Sequence, residues 1–156
     1  MKVRYAALPA IVALTAVLAV PAFAEDIDCS KPKADPLLCL KTAGWTETTG
    51  SEQADRITGT KGRDEIEGDG GNDRINSGGS GDDVNGGAGR DRIDLGTGND
   101  TGQGGEGADT IIAGSGNDVI FARDGTRDTV NCGTGQDTAT VDAKDRVSGC
   151  EKVVRR

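Results

Sequence analysis

Beyond Gly50 the β-branched residues recur at an interval of nine. Ile57, Ile66, Ile75, Val84, Ile93, Ile111, Ile120 and Val130 hold the series, with one interval of ten before Val130, and Gly102 and Ala139 interrupt it. Polar residues and glycines fill the positions between. One inward apolar residue per nine is too short a period for helical repeats and too sparse for a sandwich of packed sheets. It suits a tight glycine turn followed by a very short strand. The expected class is therefore all-β, built of short strands joined by glycine turns.

Set out in nines from Gly50, the chain reads GSEQADRIT, GTKGRDEIE, GDGGNDRIN, SGGSGDDVN, GGAGRDRID, LGTGNDTGQ, GGEGADTII and AGSGNDVIF. A ninth block, 122–131, carries one extra residue, and CGTGQDTAT restores the phase from Cys132. The sixth position is aspartate throughout: Asp55, Asp64, Asp73, Asp82, Asp91, Asp100, Asp109 and Asp118, then Asp128 and Asp137. Taken singly, each is an ordinary turn residue. Their common phase requires another explanation.

These blocks resemble the hemolysin-type calcium-binding repeats, the RTX family, whose nonapeptide is G-G-x-G-x-D-x-U-x. The resemblance covers about two-thirds of the chain. It implies a right-handed parallel β-roll, a β-helix solenoid, here of about five coils with short disulfide-bonded caps at both ends, and Ca²⁺ ions between consecutive turns on one side of the roll, held by aspartates and turn carbonyls. Carried onto this sequence, the ligand positions are Asp64, Asp73, Asp82 or Asp83, Asp91, Asp100, Asp109, Asp118, Asp128 and Asp137. The turn glycines are Gly86, Gly87, Gly89, Gly96, Gly98, Gly104, Gly105, Gly107, Gly114, Gly116, Gly133 and Gly135. In the fourth block the phase selects Asp82, whereas the literal motif GGSGDD selects Asp83. Gln53 stands where a turn glycine belongs in the first block, which sets Asp55 apart.

If two blocks make one coil, residues eighteen apart stack about 4.7 to 4.9 Å from each other. Two aspartate ladders result, and carboxylates about 5 Å apart repel by about 3 kcal/mol at an effective dielectric of 20. A divalent cation between rungs reverses that sign. Ca²⁺ accepts six to eight oxygens in flexible geometry, whereas Mg²⁺ is smaller and dehydrates reluctantly, so selectivity for calcium is expected.

A hydrophobic core alone does not account for folding. Beyond Ala24 the chain holds 4 Leu, 8 Ile, 7 Val and 1 Phe, 20 of 132 residues, a level at which acidic chains are normally disordered. Ordering nine residues of backbone costs about 9 to 18 kcal/mol, against about 1.5 to 3 kcal/mol for burying one Ile. Ion binding is the missing contribution.

The N-terminus reads as a secretory signal peptide over 1–24: Lys2 and Arg4, an apolar run from Ala6 to Val20, and Ala22-Phe23-Ala24. The run is short for a membrane span. Cleavage after Ala24 would remove two bases and no acid, taking the net charge from -8 to -10. The predicted organisation is then an N-terminal cap segment over 25–49, the repeat roll over 50–140 and a C-terminal cap over 141–156. The predicted location is the extracellular or cell-envelope space.

Four cysteines in an exported chain favour two disulfides. Cys132 and Cys150 are eighteen apart, one coil, and are expected to pair, leaving Cys29 with Cys39; cross-paired arrangements are the alternative. Histidine is absent, which argues against common zinc sites and against Ser-His-Asp or Cys-His catalysis. No catalytic residue and no organic cofactor is assigned, and the several Ca²⁺ ions are the expected partners. A glycosidase-like carboxylate pair is a remote alternative, and an adhesion protein using the roll as a spacer a nearer one. No basic stripe with aromatics suggests nucleic acid. Gly102 to Gly107 matches G-x-G-x-x-G but opens no helix, and the sequon Asn99-Asp100-Thr101 falls on a ladder aspartate. Outward rows carry opposite charge, Arg56, Arg74 and Arg92 against Glu65 and Asp83. The C-terminal tail is expected to cover Ile112 and Phe121.

Overall fold

The computed structural model describes residues 26–28, 39–42 and 45–155. Residues 1–24, read above as a signal peptide, and Cys29, with its expected pairing to Cys39, lie outside them. The described residues form fifteen strands and no helix. The odd and even blocks divide between two parallel sheets.

One sheet contains β1 (Asp26–Asp28), β4 (Arg56–Thr60), β6 (Arg74–Gly78), β8 (Arg92–Asp94), β10 (Thr110–Ile112), β12 (Thr129–Asn131) and β14 (Arg146–Ser148), in that order. The other runs β2 (Cys39–Thr42), β3 (Trp45–Ser51), β5 (Arg63–Gly71), β7 (Asp83–Gly89), β9 (Thr101–Glu106), β11 (Val119–Ala122), β13 (Thr138–Val141) and β15 (Lys152–Arg155). From β3 to β13 each strand thus pairs in parallel with the strand two further along the chain. Joining each strand from β3 to β13 with its successor gives a parallel solenoid of six coils rather than about five, because Trp45–Ser51 builds a coil on the N-terminal side of the repeat series.

Register follows the repeat. Ile57, Ile75, Ile93, Ile111, Val130 and Val147 stack in one sheet. Ile66, Val84, Gly102, Ile120 and Ala139 stack in the other. Side chains alternate in and out along a strand, so the three-residue strands β8, β10 and β12 bury their central residue between two more accessible ones. The eighth-position residues are 0 to 1% exposed, and Leu95, Ala113, Ala122, Cys132 and Val141 join them in a single apolar column.

The extra residue of the ninth block is absorbed by the exposed turn 123–127, and β12 keeps its register with β10. Cys132 and Cys150 form a disulfide with a Cα separation of 5.1 Å, within the span a bridge accepts. The terminal tail does not cover Phe121 as expected. Instead β15 pairs with β13 and extends its sheet, leaving Phe121 41% exposed; unpaired backbone groups at the last rung favour adding a strand there over masking one ring. At the other end β2 pairs antiparallel with β3. On the outer faces, Arg56, Arg74 and Arg92 are adjacent on one sheet and Glu47, Glu65 and Asp83 on the other.

Candidate metal centre

The turns between strands hold the phased aspartates, and the coil geometry turns these side chains inward. All ten sixth-position aspartates are buried, none more than 4% exposed. In one ladder the amide of Asp55 donates to Asp73 Oδ1 at 2.8 Å, that of Asp73 to Asp91 at 2.8 Å, that of Asp91 to Asp109 at 2.8 Å and that of Asp109 to Asp128 at 2.9 Å. The second ladder repeats the scheme from Asp64 through Asp82, Asp100 and Asp118 to Asp137, at 2.8 to 2.9 Å. One carboxylate oxygen of every rung after the first in each ladder is thereby consumed in joining coils.

The other oxygen has no partner. Oδ2 of Asp73, Asp82, Asp91, Asp100, Asp109, Asp118, Asp128 and Asp137 is buried without a hydrogen bond. Leaving one buried polar group unpaired costs about 1 to 3 kcal/mol, more when it is charged. These eight oxygens stand in two columns, and either a cation or a proton would satisfy them.

Burial dominates the electrostatics. It pushes Asp73, Asp82 and Asp128 up to about 7, and Asp100 and Asp109 to about 6. The amide of the preceding rung lowers each of these, and neighbouring carboxylates raise each again. Asp91 and Asp118 are also raised, by burial first.

The glycines serve both conformation and close approach. Gly87 and Gly89 have φ of 97° and 139°, the left-handed region that glycine enters without a Cβ penalty. A Cβ on Gly89 would lie 1.4 Å from the Gly71 carbonyl oxygen of the coil below. The same positive φ recurs at Gly96, Gly98, Gly105, Gly107, Gly114, Gly116, Gly133 and Gly135. A Cβ on Gly104 would fall 2.5 Å from Asp109 Oδ2, and one on Gly86 would fall 2.5 Å from the Gly104 carbonyl oxygen and 2.6 Å from Asp91 Oδ2. In these two blocks the first-position glycine leaves room for the unpartnered oxygen.

The fourth block is now placed. Asp82 stands in the ladder, while Asp83 is on the exposed face of β7, aligned with Glu65 and Thr101. Asp83 therefore does not reach the ladder, because adjacent residues of a strand point to opposite sides. Asp64 is in the ladder, but its Oδ2 accepts the Thr60 amide at 2.7 Å and the Thr60 hydroxyl at 3.0 Å.

Two ladder members escape the periodicity. Asp145 Oδ1 accepts the Asp128 amide at 3.0 Å, and Glu151 Oε2 accepts the Asp137 amide at 2.8 Å. They close the ladders at the C-terminal end. Nearby, the Lys144 ammonium donates to the Gly125 carbonyl and the Arg155 guanidinium to the Asp142 carbonyl at 2.8 Å. The inserted turn is held by its own side chains: Asp124 accepts the Gly107 amide at 2.8 Å and the Thr126 hydroxyl donates to the Gly107 carbonyl.

The repeat profile of the RTX calcium-binding nonapeptide matches four times, over residues 49–84, 77–102, 94–128 and 103–139. The chain belongs to this RTX family. No curated protein and no solved structure matches it. The RTX assignment gives the orphaned oxygens a chemical counterpart, since these repeats form a calcium-binding β-roll. The donors fit a hard cation: they are all oxygen, and the chain has no histidine. Among the described residues no three acidic, cysteine or histidine side chains gather as a metal cluster. An ion here would take its oxygens from ladder carboxylates and from main-chain carbonyls of the RTX turns.

Proposed function

We propose that the protein is an exported, non-catalytic calcium-binding module whose central coils fold when Ca²⁺ enters the two ladders. The observation that carries this reading is the set of eight buried carboxylate oxygens without partners. Asp73, Asp82, Asp91, Asp100, Asp109, Asp118, Asp128 and Asp137 would hold the ions together with carbonyls of the intervening glycine turns. Bound calcium supplies the positive charge that lets stacked carboxylates stay ionised inside the roll. The side chains act by holding charge at fixed spacing, with no bond made or broken.

Export is supported by the basic and apolar pattern of Met1 to Ala24, and the disulfide between Cys132 and Cys150 suits an oxidising compartment. Extracellular calcium modules bind at about 10⁻⁴ to 10⁻³ M, and coils that contact only their neighbours respond cooperatively. The test is far-UV circular dichroism of the oxidised protein during a calcium titration, with magnesium as control. A steep, calcium-specific gain of β signal is expected. A full β spectrum in chelator, or none at millimolar calcium, would overturn the reading.

A further inference from the structure

The second position of the nonapeptide separates two kinds of turn. From the third block onward it has positive φ, except at Arg123 in the inserted ninth block: Asp69 at 72°, Gly78 at 104°, Gly87 at 97°, Gly96 at 85°, Gly105 at 100°, Gly114 at 103° and Gly133 at 91°. The fourth position agrees, even where it is Ser80, at 84°. In the first two blocks none of Ser51, Gln53, Thr60 and Gly62 has positive φ. These turns take a different path.

They also close on themselves. The Ser51 amide and hydroxyl donate to Asp55 Oδ2 at 2.6 and 2.8 Å. The Thr60 amide and hydroxyl donate to Asp64 Oδ2 at 2.7 and 3.0 Å. Each hydroxyl in turn accepts an amide two residues on, from Gln53 at 3.2 Å and Gly62 at 3.0 Å. The oxygen that is orphaned at eight later rungs therefore has two donors at each of the first two. A serine or threonine side chain occupies the role that a cation has elsewhere.

Resting on the calcium reading of the central ladders, we infer that Ser51 and Thr60 are built-in plugs: the first two turns bind no calcium, and Asp64 is a structural rung rather than a ligand. The N-terminal coil is then ordered without metal and presents a preformed edge on which the calcium-dependent coils stack. Thr60 is the more informative plug. Replacing it by glycine turns GTKGRD into GGKGRD, which is the full turn motif above an aspartate already in the ladder.

The test counts bound calcium per chain by elemental analysis after equilibrium dialysis at saturating free Ca²⁺. Asp64→Asn is expected to match wild type, Asp100→Asn to lose at least one ion, and Thr60→Gly to gain one. Thr60→Val, which removes the hydroxyl but keeps the bulk, is expected to gain none. Loss of ions in Asp64→Asn equal to that in Asp100→Asn, or a wild-type count in folded Thr60→Gly, would overturn the plug. If Thr60→Gly does not fold, the Asp64→Asn count decides alone. Wild type binding no calcium at all would instead overturn the reading of the central ladders.

Discussion

Leu95 and Gly102 divide one side-chain site between them: a Cβ on Gly102 would lie 2.8 Å from Leu95 Cδ1 and 3.3 Å from Ile120 Cδ1. The missing β-branched residue of the sixth block is thus replaced by the leucine that opens the same block. Gly102→Val is expected to overpack the column and destabilise by about 1 to 3 kcal/mol. Leu95→Ala should cost about 2 to 5 kcal/mol by leaving a cavity. The double variant should be more stable than the sum of the two losses predicts, since the substitutions share one space. Urea unfolding at saturating calcium measures all three.

That exchange also marks where the sequence stops being legible. The nine-residue phase and the stacking of Ile57 on Ile75 follow from period alone, because each depends on a constant rise per coil; Cys132 and Cys150 pair as expected, but across a coil of seventeen residues in which Val130 aligns with Val147. Position within the ladder follows as well: ten aspartates at one phase become ten buried aspartates. The ends are different. Glu151 replaces an aspartate only fourteen residues after Asp137, and Asp145 follows Asp128 by seventeen. A terminal rung has a neighbour on one side only, so its partner is selected by local chain path and not by the repeat. The plugs were equally hidden, since serine or threonine in a turn signals several conformations, and only the φ values and the hydrogen bonds distinguish them.

Acidification should favour the metal-free roll. Asp73, Asp82 and Asp128 titrate at about 7 when folded, and Asp100 and Asp109 at about 6, against about 3.9 for an unperturbed aspartate. A folded pKa above the unfolded one means that the contribution to stability is fully present below about pH 4 and is lost as pH rises through about 6 to 7. Circular dichroism of metal-stripped protein should therefore show more β structure at pH 5 than at pH 8. Calcium needs the ionised carboxylates, so its binding should weaken across the same range and release protons at pH 6. Calorimetry in buffers of different ionisation enthalpy would detect that release, and a binding strength unchanged between pH 5.5 and 8 would contradict the assignment.

The disulfide should act on the last coil and leave the first untouched. Cys132 is fully buried in the column, so alanine is the appropriate replacement. Cys132→Ala with Cys150→Ala is expected to lower stability by about 3 kcal/mol, the chain-entropy value for a loop of this size. Coils contact only their neighbours, so amide exchange should accelerate in β13, β14 and β15 while β5 and β6 keep wild-type protection. Uniform acceleration along the roll would show that the coils unfold as one unit.

The ladder aspartates should differ from their outward neighbours in the sign of their effect as well as its size. Asp91→Asn keeps an oxygen to accept the Asp73 amide, which now bonds Oδ1 at 2.8 Å, but it removes the charge on the unpartnered Oδ2. In chelator that change relieves both the burial of charge and the repulsion between rungs, so the variant should be as stable as wild type or more so. In calcium it removes a ligand, and the midpoint of the calcium titration should rise by about tenfold, equivalent to ~1.4 kcal/mol. Asp83→Asn, on the exposed face of β7, should move stability by no more than about 0.5 kcal/mol in either condition. A ladder variant that loses stability equally with and without calcium would mean that Asp91 serves the fold alone, and the orphaned oxygens would then have no ion to explain them.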